Sequence, residues 1–346
     1  MRILYGVCGE GRGHAGRALP VIHWLKKRHD VRVVAGEVAF EMLQKNLDNL
    51  QPTCSFRLIF RDSNVCVWRT IAYNMVRARM YALSLLRVLQ LIHNFRPHVI
   101  ITDFDYATNW AGWLTRTPVI SLDNQMILRV CNAPKPKSAF AEFVTRVGMR
   151  IVSPGARFYV VLSFIPCRIN VTNAIVVQPI VREEIQSLRC TRKGHILVYQ
   201  TSPTSSEIIS VLKSVPYKFS VYGMNKIGIE KNCRFEESHK QFIKDLASCD
   251  AVITNGGFTL ITEAMLLGKP VLSVPIRGQY EQTMNAFLLE KNGLGVWSKK
   301  ITVNSIEQFI SSLPKLRENL SSAPWKNLTK WKIGMTIALK KAKKNF

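Results

Sequence analysis

The chain has 346 residues, of which 47% are hydrophobic and 21% charged, a balance that is typical of a globular protein and argues against a disordered one. This length suits two domains of roughly 150 residues each. Lys and Arg outnumber Asp and Glu by 48 to 23, and the resulting net charge of +25 favours an anionic partner without distinguishing nucleic acid, an anionic membrane and a phosphate-bearing substrate.

The eight cysteines are scattered and form no CxxC pair, which predicts reduced thiols in a cytoplasmic protein and neither a metal site nor a disulfide framework. The first apolar run is too short for the core of a signal peptide. Polar or charged residues interrupt the longer apolar stretches, so we expect no membrane-spanning helix. Any membrane contact should therefore be peripheral, on the inner face.

Short apolar runs alternate with helical patterns in the first half of the chain, which indicates βαβ units. The predicted strands there are RILYGV, VRVVAG, FRLIF, HVIIT and PVISL, with helices from about Arg17 to Arg28 and from about Phe40. The same rhythm restarts in the second half with HILVYQ, KFSVYG, AVITN and PVLSVP. Alternation of this kind predicts an α/β fold with two parallel sheets covered on both faces.

We expect a linker between about Pro166 and Arg192, where Pro and charged residues break the periodicity. The predicted organisation is two facing Rossmann-like domains, residues 1–168 and 169–328, followed by a basic amphipathic helix at 329–346. Ligands of such sheets collect beyond the carboxyl ends of the strands, so the two domains should share one cleft.

A glycine turn follows the strand AVITN, within the segment from Asn255 to Pro270. Gly256 and Gly257 let the backbone approach a ligand, and the helix that starts near Thr259 offers free N–H groups and a positive dipole end to a diphosphate, with no metal required. Glu263 lies one turn into that helix, where it can accept hydrogen bonds from ribose hydroxyls. A plain strand, turn and helix with a solvated Glu explains these residues equally well.

The continuation PVLSVPIRGQYEQTMNAFLLEKNGLGV favours the ligand site. From about Asp250 to Gly295 the sequence resembles the GT-B glycosyltransferases of the MurG and UDP-glycosyltransferase group, including a poorly characterised bacterial and archaeal subgroup. The resemblance implies a GT-B fold and a nucleotide-sugar donor with uracil as the common base. It also implies that the diphosphate is contacted by Asn255, Gly256, Gly257, Phe258 and Thr259 together with Thr201 and Ser202. The ribose is then contacted by Glu263, the base by Phe235 and Glu236, and the sugar by Glu281, Gln282 and Asn285. Glu281 departs from the usual Gln or Asp, which leaves the donor sugar open.

The first strand ends in the glycine-rich turn CGEGRGHAGRALP. Gly11, Gly13 and Gly16 satisfy a dinucleotide-binding pattern, with Glu37 at roughly the expected distance. A dinucleotide site at this turn leaves the motif from Asn255 to Pro270 unexplained and gives no role to His14. The resemblance implies that His14 is the general base that takes a proton from the acceptor hydroxyl.

Asp103 ends the strand HVIIT and matches the dyad acid that orients such a histidine. With Asp105 it also spells D-x-D, the metal-binding signature of the single-domain GT-A glycosyltransferases. We favour the dyad, because a D-x-D site would place donor and metal far from Glu263. A backbone-capping role for His14 and a helix N-cap role for Asp103 stay open.

The acceptor should lie at the carboxyl edge of the first sheet. Arg12 and Arg17 flank the glycine turn and could receive an acceptor phosphate, and a polar cluster ends the strand PVISL. The predicted acceptor-binding residues are Gly11, Arg12, Gly13, Arg17, Asp123, Asn124 and Gln125.

Arginines recur in and before a predicted helix from Ile71 to Phe95 whose other positions are mostly apolar. A basic amphipathic helix beside the acceptor domain attracts anionic lipid by about 1 kcal/mol per charge. A solvated basic face is the alternative.

The sequence thus favours a metal-independent, inverting glycosyltransferase that moves a sugar from a UDP-sugar to a lipid-linked or membrane-associated acceptor. It implies no cofactor and no metal, and a nucleotide-sugar donor with an anionic membrane surface or phosphate-bearing acceptor as the partners; nucleic acid is not expected. Two alternatives remain, a GT-B nucleotide-sugar epimerase and a non-catalytic basic protein that binds nucleic acid or membrane. The sequence does not reveal the oligomeric state.

Overall fold

The computed structural model describes residues 1–61, 64–200, 205–322 and 329–343. Within these ranges the chain forms two seven-stranded sheets, one in each half. The predicted α/β architecture of two mainly parallel sheets is confirmed.

The first half contains one sheet of order β11-β9-β7-β6-β1-β2-β3, whose strands are all parallel. Successive residues of the interior strand Arg2–Val7 pack on opposite faces of the sheet, since Ile3 and Tyr5 join one core cluster and Leu4 joins another. The elements of this half are, in chain order, β1 (Arg2–Val7), α1 (Arg12–Lys26), β2 (Asp30–Gly36), α2 (Glu37–Leu43), β3 (Leu50–Thr53), β4 (Phe60–Arg61), β5 (Asn64–Val65), α3 (Val67–Val76), α4 (Ala78–Phe95), β6 (Val99–Asp103), α5 (Tyr106–Leu114), β7 (Val119–Asp123), α6 (Ile127–Val130), β8 (Cys131–Asn132), α7 (Ala139–Val152), β9 (Phe158–Leu162), β10 (Arg168–Ile169), β11 (Ala174–Val177) and α8 (Glu183–Gln186).

The second half contains a sheet of order β14-β15-β13-β12-β16-β17-β18, parallel except for the edge pair β14 and β15. Its elements are β12 (His195–Tyr199), α9 (Ser205–Ser214), β13 (Lys218–Tyr222), β14 (Gly228–Glu230), β15 (Cys233–Phe235), α10 (His239–Ser248), β16 (Ala251–Thr254), α11 (Phe258–Leu266), β17 (Val271–Ser273), α12 (Tyr280–Lys291), β18 (Gly295–Trp297), α13 (Val303–Ser322) and α14 (Lys330–Lys343).

The predicted strand FRLIF is wrong. Its backbone N–H groups bond mainly to side chains: Arg57 N donates to Asn74 Oδ1 of α3 at 3.1 Å, Ile59 N donates to Thr70 Oγ1 of α3 at 2.9 Å, and Leu58 N donates to Glu10 Oε1 at 3.4 Å. Only Phe60 joins a strand, the short β4 that pairs with β5. The edge strand of the sheet is instead β3, which pairs with β2.

The predicted helix from Ile71 to Phe95 is two helices, α3 and α4, interrupted at Arg77. The backbone of Arg77 leaves helical geometry, with φ of −87° and ψ of 2°. Its guanidinium reaches back to α2, where it forms an ion pair with Glu37. The break therefore coincides with a side chain that forms an ion pair with another helix.

The last strand of the first sheet lies beyond the predicted domain boundary at residue 168. Ala174–Val177 pair in parallel with β9, so the first sheet extends to Val177. The C-terminal helix α14 also returns to this sheet and packs on β9, β11 and β7. Its apolar face is buried, and the ring of Trp331 lies edge-on to Trp24 of α1 with centroids 5.5 Å apart. That face is therefore occupied by protein.

Candidate active site

The glycine turn between β16 and α11 has the geometry that its sequence predicts. Gly256 has a φ of 93°, and a Cβ there would lie 2.8 Å from Ser273 Oγ and 2.9 Å from the carbonyl oxygen of Gln282. Only glycine fits this position without strain. Gly257 is the N-cap of α11 and, having no side chain, supplies no acceptor to the first N–H groups of the helix.

Glu263 is buried, and its carboxylate is held by an arginine that the sequence analysis did not single out. Arg182 Nε donates to Glu263 Oε1 at 2.6 Å, and Arg182 Nη2 donates to Oε2 at 2.8 Å. Arg182 lies in the linker, just before α8, and also pairs with Glu184. The carboxylate predicted to face ribose thus has a cationic partner on both oxygens.

Three residues predicted to contact the donor instead support the turn from within the protein. Asn285 Nδ2 donates to the carbonyl of Gly256 at 3.0 Å, and Gln282 Oε1 accepts from Ile276 N at 3.0 Å. The ring of Phe258 is buried against Phe164, with centroids 5.8 Å apart. These contacts give Gln282, Asn285 and Phe258 a supporting role within the protein, and their predicted contacts with the sugar and the diphosphate stay predictions.

Glu281 reaches across the cleft to the first domain. Its Oε1 accepts from Asn124 Nδ2 at 2.9 Å, and its Oε2 accepts from Gln125 Nε2 at 3.2 Å. The predicted sugar contact of one domain and two predicted acceptor residues of the other are therefore neighbours.

The predicted nucleobase contacts lie at the end of β15. Phe235 is buried in the core of the second sheet, and the N–H of Glu236 donates to the carbonyl of Val221 at 3.0 Å, so this N–H is not available to a base. Backbone N–H groups that its carboxylate accepts hold the pKa of Glu236 below its ordinary value. Thr201 and Ser202 lie outside the described residues.

His14 and Asp103 are brought together as a dyad requires. His14 lies in the first turns of α1 and Asp103 at the end of β6, and His14 Nδ1 is 2.9 Å from Asp103 Oδ1. Arg17 Nη2 also lies 2.9 Å from His14 Nδ1, and because a guanidinium only donates, Nδ1 can either donate to Asp103 or accept from Arg17. Only the tautomer that carries its proton on Nδ1, donating to the carboxylate, leaves Nε2 unprotonated to act as a base. Burial raises the pKa of Asp103, but the charges and hydrogen bonds of Arg17 and His14 outweigh it and hold that pKa below its ordinary value. The acid is therefore ionised at neutral pH.

Arg17 corrects the sequence interpretation. It is only 3% exposed, and its guanidinium faces Asp103 and not an acceptor phosphate: Nε is 2.8 Å from Oδ2 and Nη2 is 2.5 Å from Oδ1. Its remaining nitrogen, Nη1, donates to Asn124 Oδ1 at 2.8 Å. Arg12, in contrast, is exposed, as an anion-binding residue should be.

The second aspartate of the D-x-D triplet is the N-cap of α5. Asp105 accepts from Thr108 N at 2.8 Å and from Thr108 Oγ1 at 2.7 Å. The N-cap role considered for Asp103 thus belongs to Asp105, which frees Asp103 for His14. Burial raises the pKa of Asp105 to about 6, against the hydrogen bonds of Thr108.

Asp123 ends β7 beside this network and is also fully buried. Its Oδ1 accepts from Met126 N at 2.8 Å, and its Oδ2 accepts from Ser121 Oγ at 2.6 Å. The pKa of Asp123 is raised to about 6, mainly by burial; the hydrogen bond from Ser121 opposes this shift, and the charge of Asp103 contributes to it. Asp123 therefore caps the loop and does not point a free carboxylate at an acceptor.

The N-termini of α1 and α11 meet in the cleft. Thr259 Oγ1 donates to the carbonyl of Gly13 at 3.3 Å, and a Cβ on Gly13 would come within 2.8 Å of that hydroxyl. Gly11 is the N-cap of α1 and, like Gly257 on α11, offers no side-chain cap. Two helix N-termini whose N-cap residues supply no side-chain cap therefore meet, with His14 one residue after Gly13 and Glu263 four residues after Thr259.

The sequence of residues 1–314 matches the family described as glycosyl transferase family 1. The chain belongs to this family. Two archaeal relatives are named uncharacterized glycosyltransferases: one from Methanosarcina acetivorans is 26% identical over 329 residues, covering 85% of each chain, and one from Methanopyrus kandleri is 36% identical over 97 residues, covering 26% of this chain and 27% of the relative.

Solved glycosyltransferase structures share the fold over nearly the whole chain. The Phytolacca americana enzyme UGT2, solved with UDP-2-fluoro-glucose and pterostilbene, aligns with a TM-score of 0.70 at 14% identity and covers 98% of both chains. The glycosyltransferase VinC, solved with dTDP, aligns with a TM-score of 0.63 at 12% identity and covers 100% of both chains. The glycosyltransferase described here thus has the GT-B fold that its sequence predicts.

One further carboxylate of this glycosyltransferase faces the cleft, and the sequence analysis missed it. Glu10 is accessible to water but enclosed by the surrounding protein, which raises its pKa to about 7; a hydrogen bond from Leu58 N opposes this shift, and the charge of Glu281 adds to it. The available signal was its position three residues after β1, at the carboxyl edge of the sheet.

Proposed function

We propose that this glycosyltransferase transfers a sugar from a UDP-sugar, with inversion and without a metal, to a lipid-linked or membrane-associated acceptor, with His14 as the general base. The observation that carries the proposal is the meeting of α1 and α11 at Gly13 and Thr259. It gives the dyad and the uncapped N-terminus of α11 a common cleft, where acceptor and leaving group can lie side by side.

In the proposed reaction, Nε2 of His14 takes the proton of an acceptor hydroxyl as its oxygen attacks the anomeric carbon. The new bond forms between that carbon and the acceptor oxygen, and the bond to the diphosphate oxygen breaks, so the diphosphate leaves with the electron pair. Attack from the face opposite the leaving group inverts the anomeric configuration. Asp103 stabilises the imidazolium that results.

The leaving diphosphate needs positive charge and hydrogen-bond donors, and the N-terminus of α11 supplies both. Its dipole is equivalent to roughly half a positive charge, and its first N–H groups have no side-chain cap. Arg12 is exposed on the facing helix and adds a full positive charge. These groups support a mechanism without a metal ion, and the resemblance to UDP-glycosyltransferases supports UDP as the carrier.

The acceptor side carries an exposed apolar surface that supports a lipid-associated acceptor. We define the apolar face as Trp68, Met75 and Val76 on α3, Met80 and Leu86 on α4, Trp113 on α5, and Phe140 and Phe143 on α7. No residue of α3 is buried, and Trp68, Val76 and Phe140 are 83%, 87% and 73% exposed. Because α5 packs against both α4 and α7, these helices belong to one layer of the first domain.

Basic side chains accompany the apolar face. Arg69, Arg79, Arg87, Lys137 and Arg150 are exposed on or beside the same helices. Apolar residues that insert at an interface, together with cations that attract anionic headgroups, favour peripheral binding to an anionic membrane. In the described ranges, none of the helices is long and apolar enough to cross a bilayer.

A thermal-shift panel tests the proposal. The protein is melted with UDP-, GDP-, dTDP- and CMP-sugars, each in EDTA and again with Mg²⁺ or Mn²⁺. We expect stabilisation by UDP-sugars in EDTA, because a ligand that binds only the folded state raises the melting temperature. Stabilisation that appears only with a divalent metal would contradict metal-independent binding of the diphosphate at α11. Stabilisation by dTDP-sugars alone would show that the nucleotide carrier is dTDP and not UDP.

A further inference from the structure

A continuous set of buried polar contacts joins the proposed base to the second domain. His14 contacts Asp103, Asp103 contacts Arg17, Arg17 contacts Asn124, and Asn124 contacts Glu281, with the separations of 2.9, 2.8, 2.8 and 2.9 Å. The first four residues belong to the first domain and are each less than 10% exposed. Glu281 belongs to the second domain, on α12.

The side-chain amide of Asn124 can make both of its contacts in this network in one orientation only. Its Oδ1 accepts from Arg17 Nη1, which has only protons to offer, and its Nδ2 donates to a carboxylate oxygen of Glu281, which has only lone pairs. A flipped amide would oppose donor to donor on one side and acceptor to acceptor on the other. The two domains therefore fix the orientation of Asn124 together.

Arg17 has no freedom left once Asn124 is fixed. Its Nε and Nη2 bind both oxygens of Asp103, and its Nη1 binds Asn124. Burial lowers the pKa of Arg17, but the charge and hydrogen bond of Asp103 and the charges of Asp123 and Glu281 raise it above its ordinary value, so the guanidinium stays charged. A charged, planar group held at three nitrogens fixes the plane of the carboxylate that orients His14.

We propose that Arg17 and Asn124 are positioning residues through which Glu281 of the second domain aligns the His14–Asp103 dyad. The contact of Glu281 with Asn124 exists only while the two domains are closed at this point. Opening of the cleft leaves Asn124 Nδ2 without its carboxylate partner, so the amide is no longer held in one orientation and its support of Arg17, and through Arg17 of the Asp103 carboxylate, weakens. The base is thereby set for reaction when the donor domain closes on the acceptor domain.

This inference rests on the proposed function, because it assigns the network to the base of glycosyl transfer. It differs from a purely structural explanation in one respect. A structural network should affect stability, whereas a positioning network should affect kcat and the state of the His14 ring while UDP still binds.

An exchange of polarity between two residues provides the test. Asn124→Asp keeps an acceptor for Arg17 but sets a carboxylate against Glu281, so it should lower kcat for hydrolysis of the UDP-sugar about tenfold or more. In the double variant Asn124→Asp/Glu281→Gln, the new amide donates to Asp at 124 and accepts from Gln125, so every contact is satisfied again. We expect it to recover most of the lost kcat.

Three further measurements accompany the kinetics. Calorimetry should give a UDP affinity within about twofold of wild type for both variants, because the nucleotide lies at α11. The Nδ1–H resonance of His14, assigned by its loss in His14→Ala, should shift in Asn124→Asp and return in the double variant. Asn232→Ala removes another amide, one whose Nδ2 bonds three backbone carbonyls of the second domain, and should lower the melting temperature without lowering kcat.

The outcomes separate the inference from the proposed function. A double variant whose kcat is no higher than that of Asn124→Asp, or a His14 resonance that does not respond to Asn124→Asp, overturns the positioning role. If wild type neither binds nor cleaves UDP-sugars, the proposed function fails, and the His14 resonance still decides the network. If Asn124→Asp does not fold, the double variant decides. A double variant that folds but does not show the wild-type Nδ1–H resonance of His14 overturns the inference.

Discussion

Arg182 binds both carboxylate oxygens of Glu263, with Nε 2.6 Å from Oε1 and Nη2 2.8 Å from Oε2. The pair joins the linker to the helix that carries the proposed donor site. Each carboxylate oxygen has a second lone pair, so Glu263 can still accept from ribose hydroxyls while Arg182 stays in place.

Removal of Arg182 should destabilise the protein. Glu263 is 1% exposed, and Arg182→Ala would leave its carboxylate buried without a cation. Loss of one partner of a buried ion pair costs about 3 to 5 kcal/mol. Urea unfolding measures this change, and Lys213→Ala, which removes one of the two lysine partners of the exposed Glu230, is the matched control, for which we expect a much smaller loss. Equal losses for the two variants would show that the Arg182 pair is not a buried one in solution.

Replacement of His14 should separate binding from transfer. His14→Ala removes the proposed base but none of the groups at the N-terminus of α11, so UDP affinity should hold while turnover falls by about 10² to 10⁴. Calorimetry with UDP and hydrolysis of the UDP-sugar measure the two effects. A variant that retains wild-type turnover would rule out His14 as the base.

The two glycines of the turn should respond differently to alanine. Gly256→Ala forces a side chain into a φ of 93° with backbone and hydroxyl oxygens within 3 Å, so it should cost about 1 to 3 kcal/mol of stability. Gly257 has no neighbour within 4 Å of its Cβ position in the described residues, so Gly257→Ala should leave stability unchanged. If a diphosphate lies against this N-terminus, the methyl group of Gly257→Ala should nevertheless weaken UDP binding. Unchanged UDP binding in this variant would show that the diphosphate does not bind at the N-terminus of α11.

Asp123 should make the stability of the protein depend on pH. Its pKa rises from 3.8 to about 6 on folding, so the folded state binds more protons than the unfolded state between these values. The free energy of unfolding should therefore fall as the pH rises from about 4 to 6, by at most about 3 kcal/mol from this group.

Asp123→Asn isolates that contribution. Its oxygen still accepts from Met126 N, and its amide can donate to Ser121 Oγ, so the loop keeps both contacts. Urea unfolding from pH 4.5 to 7.5 should give a flatter pH dependence for the variant than for wild type. Parallel curves for the two proteins would show that Asp123 does not titrate in this range.

The apolar face should bind anionic vesicles. Trp68→Ser combined with Val76→Ser removes two of its most exposed side chains and should reduce co-sedimentation with phosphatidylglycerol vesicles several-fold. Ile229, 76% exposed on β14 of the second domain, provides the control Ile229→Ser, which should bind like wild type. Equal binding by all three proteins, or equal binding to phosphatidylcholine, would contradict membrane docking by this face.

Sequence periodicity predicted most of the fold because buried parallel strands are short apolar runs with clear ends. It failed at Phe56 to Phe60, where side chains of α3 take the backbone hydrogen bonds that a strand would make, and at Arg77, whose partner Glu37 lies 40 residues away. Neither pairing leaves a local signal in the sequence.

The candidate site divides in the same way. The family resemblance named His14, in α1 after β1, and Asp103, at the end of β6, as a dyad, and the parallel pairing of β1 with β6 places the carboxyl ends of these strands side by side. The roles of Arg17, Arg182 and Glu281 could not be predicted, because each depends on a charged or amide partner at least 81 residues away that only the packing of distant elements brings near. Arg17 illustrates the difference: its sequence suggested a surface phosphate contact, whereas its burial makes it the partner of Asp103.

The most direct test of a metal-independent donor site at α11 is a calorimetric titration of UDP, in EDTA, into wild type and Glu263→Gln. The variant keeps the size of the side chain and one acceptor for Arg182, but it replaces the charged acceptor of the ribose hydroxyls. We expect wild type to bind and the variant to bind about tenfold more weakly, as loss of hydrogen bonds to a charged group implies. Equal affinities for the two proteins, or binding by wild type only after Mg²⁺ is added, would contradict the account.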